Sequence, residues 1–367
     1  MEEAKISAWQ FFLLVLNFTL GTTIFFKPGA YISAAEQDAW LVPIWSGVAG
    51  ILMVCLWLNL AKHYPGLSII QISMKAAGNK FGALLALFYV WFFIHTSSLI
   101  LRSISLFMNS TLMPHTPITV FHGMFLIIVS YATVKGIEVI ARVSEIFTPI
   151  ILILTAIFLS ITLKEWNWER FEPMLQLDVW KSMKDSRSSI AFPYMEVICF
   201  MMIFPFVKNR LKASLISAIL LATMILSIVT FLIIGVSGVT RISHHVYPLY
   251  TIAQEMHIGQ LFEHLEAIIA IVWMITIFSK LTVAYYCSVL GICQLFQLTN
   301  RKWVAISLIV LISGIASTNH ENIVEQILWD KRYNFEHKSL YSVVLPMLLL
   351  ILTWLRKSGQ KQKDNSA

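Results

Sequence analysis

Ten mostly apolar stretches, each long enough to cross a bilayer, run along this chain with short polar connections between them. A spanning helix needs about 20 such residues. By that ruler the spans fall at residues 9–33, 41–61, 82–108, 118–134, 142–163, 188–207, 211–235, 261–298, 303–317 and 339–355. Lipid offers no partners for backbone N–H and C=O groups, so each span must satisfy them internally, as a helix does. The expected fold is therefore all-α and polytopic, one integral membrane domain over residues 1–367. With 57% hydrophobic and only 13% charged residues, the composition excludes an ordinary soluble globule.

Loop charge sets the expected orientation. Lys62, Lys75, Lys80, Lys135, Arg142, Lys208, Arg210, Lys212, Arg301, Lys302, Arg356, Lys357, Lys361 and Lys363 share one side if the long eighth stretch is a single crossing. That side is the cytoplasm. Splitting the eighth stretch would place Arg301 and the basic tail on opposite faces, so ten spans with both termini inside is preferred. The net charge of +7 resides in these loops, which argues against a nucleic-acid partner. Glu2 and Glu3 stand where a cleaved leader would be basic, so the first apolar run is expected to stay in the membrane. Cys55, Cys199, Cys287 and Cys293 show no Cys-x-x-Cys spacing and no accompanying His, and read as buried small side chains rather than metal ligands or a disulfide framework. No Gly-rich phosphate loop, zinc motif or nucleophile constellation occurs, so neither an enzyme nor a cofactor is expected.

Two spans break their own helical rule. The first carries Gly21, Thr22 and Thr23 inside the stretch Asn17-Phe-Thr-Leu-Gly-Thr-Thr-Ile-Phe-Phe-Lys-Pro28, and the sixth carries Phe192, Pro193, Tyr194 and Glu196. Pro193 removes a backbone donor and clashes with the preceding turn. Spans one and six hold matching places in two halves of five, and an odd number of spans inverts one half against the other. The halves run from about residue 6 to 163 and from about 188 to 356, with a cytoplasmic tail at 357–367. Interrupted helices at matching positions of inverted halves point to a transporter-type binding site.

Within that frame the candidate ligand-binding residues are Gly21, Thr22, Thr23, Phe192, Tyr194, Glu196, Thr282 and Tyr286. Helix-end amides and carbonyls suit the carboxylate and ammonium of an amino acid; the hydroxyls suit either ligand binding or helix packing. Lys280 on span eight lies at the depth of Glu196, where it either neutralises that carboxylate, stands in for a coupling cation, or snorkels to the inner interface. Lys27 and Arg102, nearer the outside, are expected to snorkel. Residues 247–257 form a short amphipathic pattern behind Pro248, either an interfacial cap or a lid.

The opening Ile6-Ser7-x-x-Gln10, the Gly21 to Pro28 break, Asp38-Ala39-Trp40, Tyr64-Pro65-Gly66, Thr116-Pro117, Gly136-Ile137-Glu138 with Ala141-Arg142, Glu172-Pro173, Glu196 and Glu263-x-x-Glu266 together resemble the endospore germination permease family, within the amino acid–polyamine–organocation superfamily. These are the B subunits of nutrient-germinant receptors. The resemblance covers nearly the whole chain. It implies a LeuT-like fold of ten transmembrane helices, residence in the inner membrane of the spore, and assembly with a larger A subunit and a C-subunit lipoprotein. It further implies sensing of a small nutrient, often an amino acid or sugar, rather than pumping it in bulk; the broken spans and the Lys280 to Tyr286 segment place that binding between helices 1, 6 and 8. A free-standing proton- or sodium-coupled amino acid transporter is the alternative. Where the family often has Glu-Arg at the start of span eight, this chain has Glu263-His264.

Overall fold

Span one begins where the sequence supplies a cap. Ser7 accepts from the Gln10 amide while the Gln10 side chain accepts from the Ser7 amide, a capping box that starts the helix Ala8–Leu20. Just before it, the Ile6 amide donates to Phe206 O (2.8 Å) and the Lys208 amide donates to Ile6 O (3.1 Å), tying the N-terminal segment to the far end of span six. The computed structural model describes residues 4–243, 245–256 and 265–364. Among these the regular structure is helical, apart from the single Ile6–Val207 bridge.

The remaining spans are Val42–His63, Asn79–Phe107, Ile118–Lys135, Ile137–Thr162, the broken sixth, Leu211–Ser237, Leu265–Leu295, Arg301–Asn319 and a tenth running from Asn334 into Leu345–Asp364. Nine helical segments among the described residues are long and apolar enough to cross a membrane. The sixth span escapes that count because it is divided: a turn of helix at Ser188–Ala191, then a tight three-residue-per-turn helix at Tyr194–Met202. Pro193 sits at the joint, where its missing N–H and ring end the first piece. The eighth span is one unbroken helix over its described length, as a single crossing requires.

Span one divides at Gly21, whose amide still donates to Asn17 O (2.7 Å) before the chain re-enters a short helix at Thr23–Phe26. A helix end frees its last carbonyls. Here the Thr23 hydroxyl takes Thr19 O at 2.8 Å, and the Thr276 hydroxyl of span eight lies 2.8 Å from Trp273 O and 3.3 Å from Gly21 O. On the opposite side, Asn17 donates to the Thr148 hydroxyl of span five (3.1 Å). The break in span one is thus held between spans five and eight.

Between the tenth span and the ninth lies a short helix, Ile323–Arg332, capped by the Asn322 side chain. The amphipathic pattern after Pro248 forms the helix Pro248–Glu255, with Tyr247 at its entrance packing on Phe26, Phe107 and Trp273. Its expected end at His257 lies outside the described residues, as does the Glu263-His264 pair.

Candidate functional site

The division of span six turns Glu196 inward, and it is buried with both carboxylate oxygens engaged by lysine. Lys338, at the start of span ten, donates to Oε1 at 2.5 Å. Lys280 approaches Oε2 to 2.6 Å, but the pair is out of hydrogen-bond alignment, so Coulomb attraction rather than a directed bond carries this contact. Lys280 is fully buried and does not snorkel. A lysine at membrane depth costs about 2.5–3.5 kcal/mol on insertion scales, and pairing with Glu196 offsets that for both ammoniums.

Lys27 corrects the snorkelling expectation outright. It is fully buried, donates to Asp330 Oδ2 (2.5 Å) on the helix before span ten, and lies 3.2 Å from the Ser188 hydroxyl. The helix-one segment Thr23–Phe26 aims it across the site, because the break turns the chain before Lys27 reaches the interface. Arg102 is likewise buried and donates to the backbone carbonyls of His320 and Glu321. The ammoniums of Lys27, Lys280 and Lys338 all surround the Phe192 ring, at 5.4, 4.0 and 5.2 Å from its centroid. The ring's negative π faces suit that arrangement.

Beside these charges lies a small cavity of about 40 Å³. Thr22 and Phe26 wall it from span one, Ser103 from span three, and Phe192 and Glu196 from span six. Leu99, Ile100 and Trp329 add apolar wall, and the rest is a polar set spaced four residues apart, Gln326 and Asp330 on the helix Ile323–Arg332 and Asn334 and Lys338 at the start of span ten. On a helix such residues share a face. A volume of that size holds about two or three water-sized groups, so this is a nearly closed form. A second cavity of about 150 Å³ lies beyond the Lys27–Asp330 pair, and Phe26 and Asp330 line both. The pair and the ring therefore form the partition between them.

Of the residues singled out from sequence, Thr22, Phe192 and Glu196 line the inner cavity, and Lys280 reaches it through Glu196. The others are elsewhere. Thr23 and Thr282 donate to carbonyls one turn back, Thr19 O and Phe278 O, both at 2.8 Å. Tyr194 turns outward to the Thr223 hydroxyl (2.8 Å), and Tyr286 is buried within the packing of span eight without lining the cavity. Gly21 faces span eight instead of the cavity: a Cβ there would meet Asn17 O of its own helix at 3.1 Å, Thr276 O at 3.3 Å and Lys280 Cβ at 3.6 Å.

Gly21→Ala therefore requires the Asn17 and Thr276 carbonyls to give by a few tenths of an ångström and is expected to be mildly destabilising, whereas Gly21→Leu should cost about 1–3 kcal/mol more by forcing spans one and eight apart. Thermal unfolding of the two purified variants checks this, and equal melting temperatures would refute it.

Lys338, Asp330, Asn334 and Gln326 escape the sequence reading because residues 318–338 fall between the ninth and tenth apolar stretches. The four-residue spacing was the available signal.

The division of two spans around a buried charged cavity, within this helix order, defines a membrane protein of the LeuT transporter fold. MhsT in complex with L-phenylalanine is similar with a TM-score of 0.66 at 15% identity, over 96% of this chain and 99% of that one. Mhp1, a nucleobase-cation-symport-1 family transporter in a closed conformation with bromovinylhydantoin bound, is similar at 0.58 and 13% identity, over 96% of this chain and 78% of the other. Residues 5–323 match the spore germination protein family, and the chain belongs to it. Among its relatives, spore germination protein KB of Bacillus subtilis (strain 168) is 24% identical over the full length of both chains. Spore germination protein YndE of the same organism is also 24% identical, over 98% of this chain and 99% of its own.

Proposed function

We propose that this chain is the nutrient-sensing, transporter-like subunit of a germinant receptor. It binds a small polar nutrient in the inner cavity between spans one, three, six and ten, with Lys280 of span eight set behind Glu196. Binding shifts a conformational equilibrium that is passed to an A subunit and a C-subunit lipoprotein in the inner membrane of the spore, both termini being cytoplasmic. The observation that carries this reading is the placement of a small cavity, with charged and amide side chains set in a largely apolar lining, where the two helix breaks meet. Both carboxylates at the cavity are already held by lysines of the chain itself. That favours a sensor over the alternative, a proton- or sodium-coupled amino acid transporter, since among the described residues neither acid of this cluster stands ready to receive a coupling cation.

Counterflow in proteoliposomes tests the reading. The isolated chain is expected to bind a nutrient saturably without accumulating it; robust gradient-driven accumulation would favour the transporter. Spores whose only receptor carries this chain should lose their germination response when Ser103→Phe fills the cavity, while the protein still reaches the membrane.

A further inference from the structure

The five ionisable side chains at the site do not balance. Lys27, Lys280 and Lys338 contribute three ammoniums; Glu196 and Asp330 contribute two carboxylates. The adjacent Arg187–Glu336 pair is half-exposed and self-compensating, so it does not alter the count. One positive charge is therefore in surplus at membrane depth, next to a cavity. Lys338 lines that cavity with one N–H committed to Glu196, and Lys280 makes no aligned hydrogen bond.

The cavity wall adds an independent set of observations. Besides Glu196 Oε2, which faces Lys280, three buried oxygens on lining residues have no hydrogen-bond partner: Thr22 Oγ1, Gln326 Oε1 and Asn334 Oδ1. Asn334 cannot flip to relieve this, because its amide nitrogen donates to the Asp330 carboxylate at 2.6 Å, which only accepts. Its free oxygen is thus a fixed acceptor waiting for a donor. Buried polar groups are normally satisfied, and unsatisfied ones next to a cavity mark where a ligand's polar atoms belong.

We propose that the cavity selects a small organic anion of net charge −1 that also carries a hydrogen-bond donor, with Lys338 receiving its carboxylate and Asn334 Oδ1 its donor. This rests on the sensing reading above and names its ligand class. A net-neutral zwitterion leaves the surplus charge uncompensated, whereas an acidic amino acid or a hydroxy acid brings the cluster to neutrality. Such a ligand is larger than two or three water-sized groups, so its binding requires the cavity to widen, with the ligand's apolar remainder meeting Phe26, Leu99 and Phe192.

Isosteric pairs test the class. Binding to the purified full-length chain in lipid nanodiscs is measured by calorimetry for L-aspartate, L-glutamate and L-lactate against L-asparagine, L-glutamine and L-lactamide. At least one acid should bind about tenfold or more tightly than its amide. Lys338→Met and Lys280→Met each remove the surplus charge and should abolish that preference. The double variant Glu196→Gln with Lys280→Met keeps the surplus and should keep the preference, so a merely structural role for Lys280 is separated from the charge count. Amides binding as tightly as acids would mean that one lysine rests uncharged, and would overturn the class; so would the absence of binding by any of the acids at millimolar concentration. Binding that survives Ser103→Phe, in protein that elutes as the wild type does, would place the ligand elsewhere and overturn the site. Binding lost in Ser103→Phe but indifferent to acid or amide would leave the site standing and overturn only its charge preference.

Discussion

Glu196→Ala is expected to destabilise the protein by about 3–5 kcal/mol, because it strips the shared partner from two buried lysines at once. Replacing either lysine is expected to cost less, since the carboxylate then keeps the other ammonium. The two lysine variants should also differ. Lys338 makes a directed bond to Oε1, while Lys280 contributes charge without hydrogen-bond alignment, and charge-assisted hydrogen bonds are the stronger contacts. The expected order of destabilisation is thus Glu196→Ala, then Lys338→Met, then Lys280→Met. Thermal unfolding in detergent, followed by loss of the monodisperse peak, measures all three. Should Glu196→Ala melt no lower than Lys280→Met, the carboxylate is not the hub of the cluster.

How much of this was legible beforehand depends on the range over which each residue acts. The spans and their count follow from local composition, and the breaks at Gly21 and Pro193 follow from local backbone chemistry, so both could be read from single segments. Equal depth along two helices is also a sequence-level quantity, which is why Glu196 and Lys280 could be considered together. Lys27 is different. Its distance from the interface depends on the turn that Gly21 puts into span one, and an unbroken helix would have delivered it to the headgroups. The hydroxyls of Thr23 and Thr282 were ambiguous for another reason: a threonine in a helix can bond back one turn or face a ligand, and only the neighbouring packing decides.

The residues behind the family resemblance turn out in part to be joints. Ser7 and Gln10 cap span one, and Gln10 also donates to Glu145 of span five (2.9 Å). The Lys5 amide donates to Glu138 (2.9 Å), just after Gly136, whose φ of 98° suits only a residue without a side chain. Asp38 receives the amide of Leu175 from the long loop after span five (2.9 Å). These contacts fix how the first half is stapled together, and they would persist whatever ligand the cavity takes. Family membership therefore reports the scaffold more directly than it reports the ligand.

Asp330→Ala is expected to cost roughly 2–4 kcal/mol, below the full penalty for a wholly buried pair because Asp330 is 18% exposed while Lys27 is 0% exposed. The loss leaves Lys27 with hydrogen bonds only to the hydroxyl and carbonyl of Ser188, at 3.2 and 3.4 Å, beside the Phe192 ring. Lys27→Met should be milder, since the carboxylate it frees retains the Asn334 amide and some solvent contact. The double variant should recover much of the stability lost in Asp330→Ala, because no buried charge is then left without a partner. A double variant that melts as low as Asp330→Ala would show that the charge on Lys27 is not the source of the loss. Stability and access are separable here. The pair and Phe26 divide the inner cavity from the outer one, so the double variant, even when stable, should release bound ligand faster than the wild type. An unchanged off-rate in that variant would assign the partition to Phe26 and the packed ring of Tyr247 behind it, and leave the ion pair with a purely structural part.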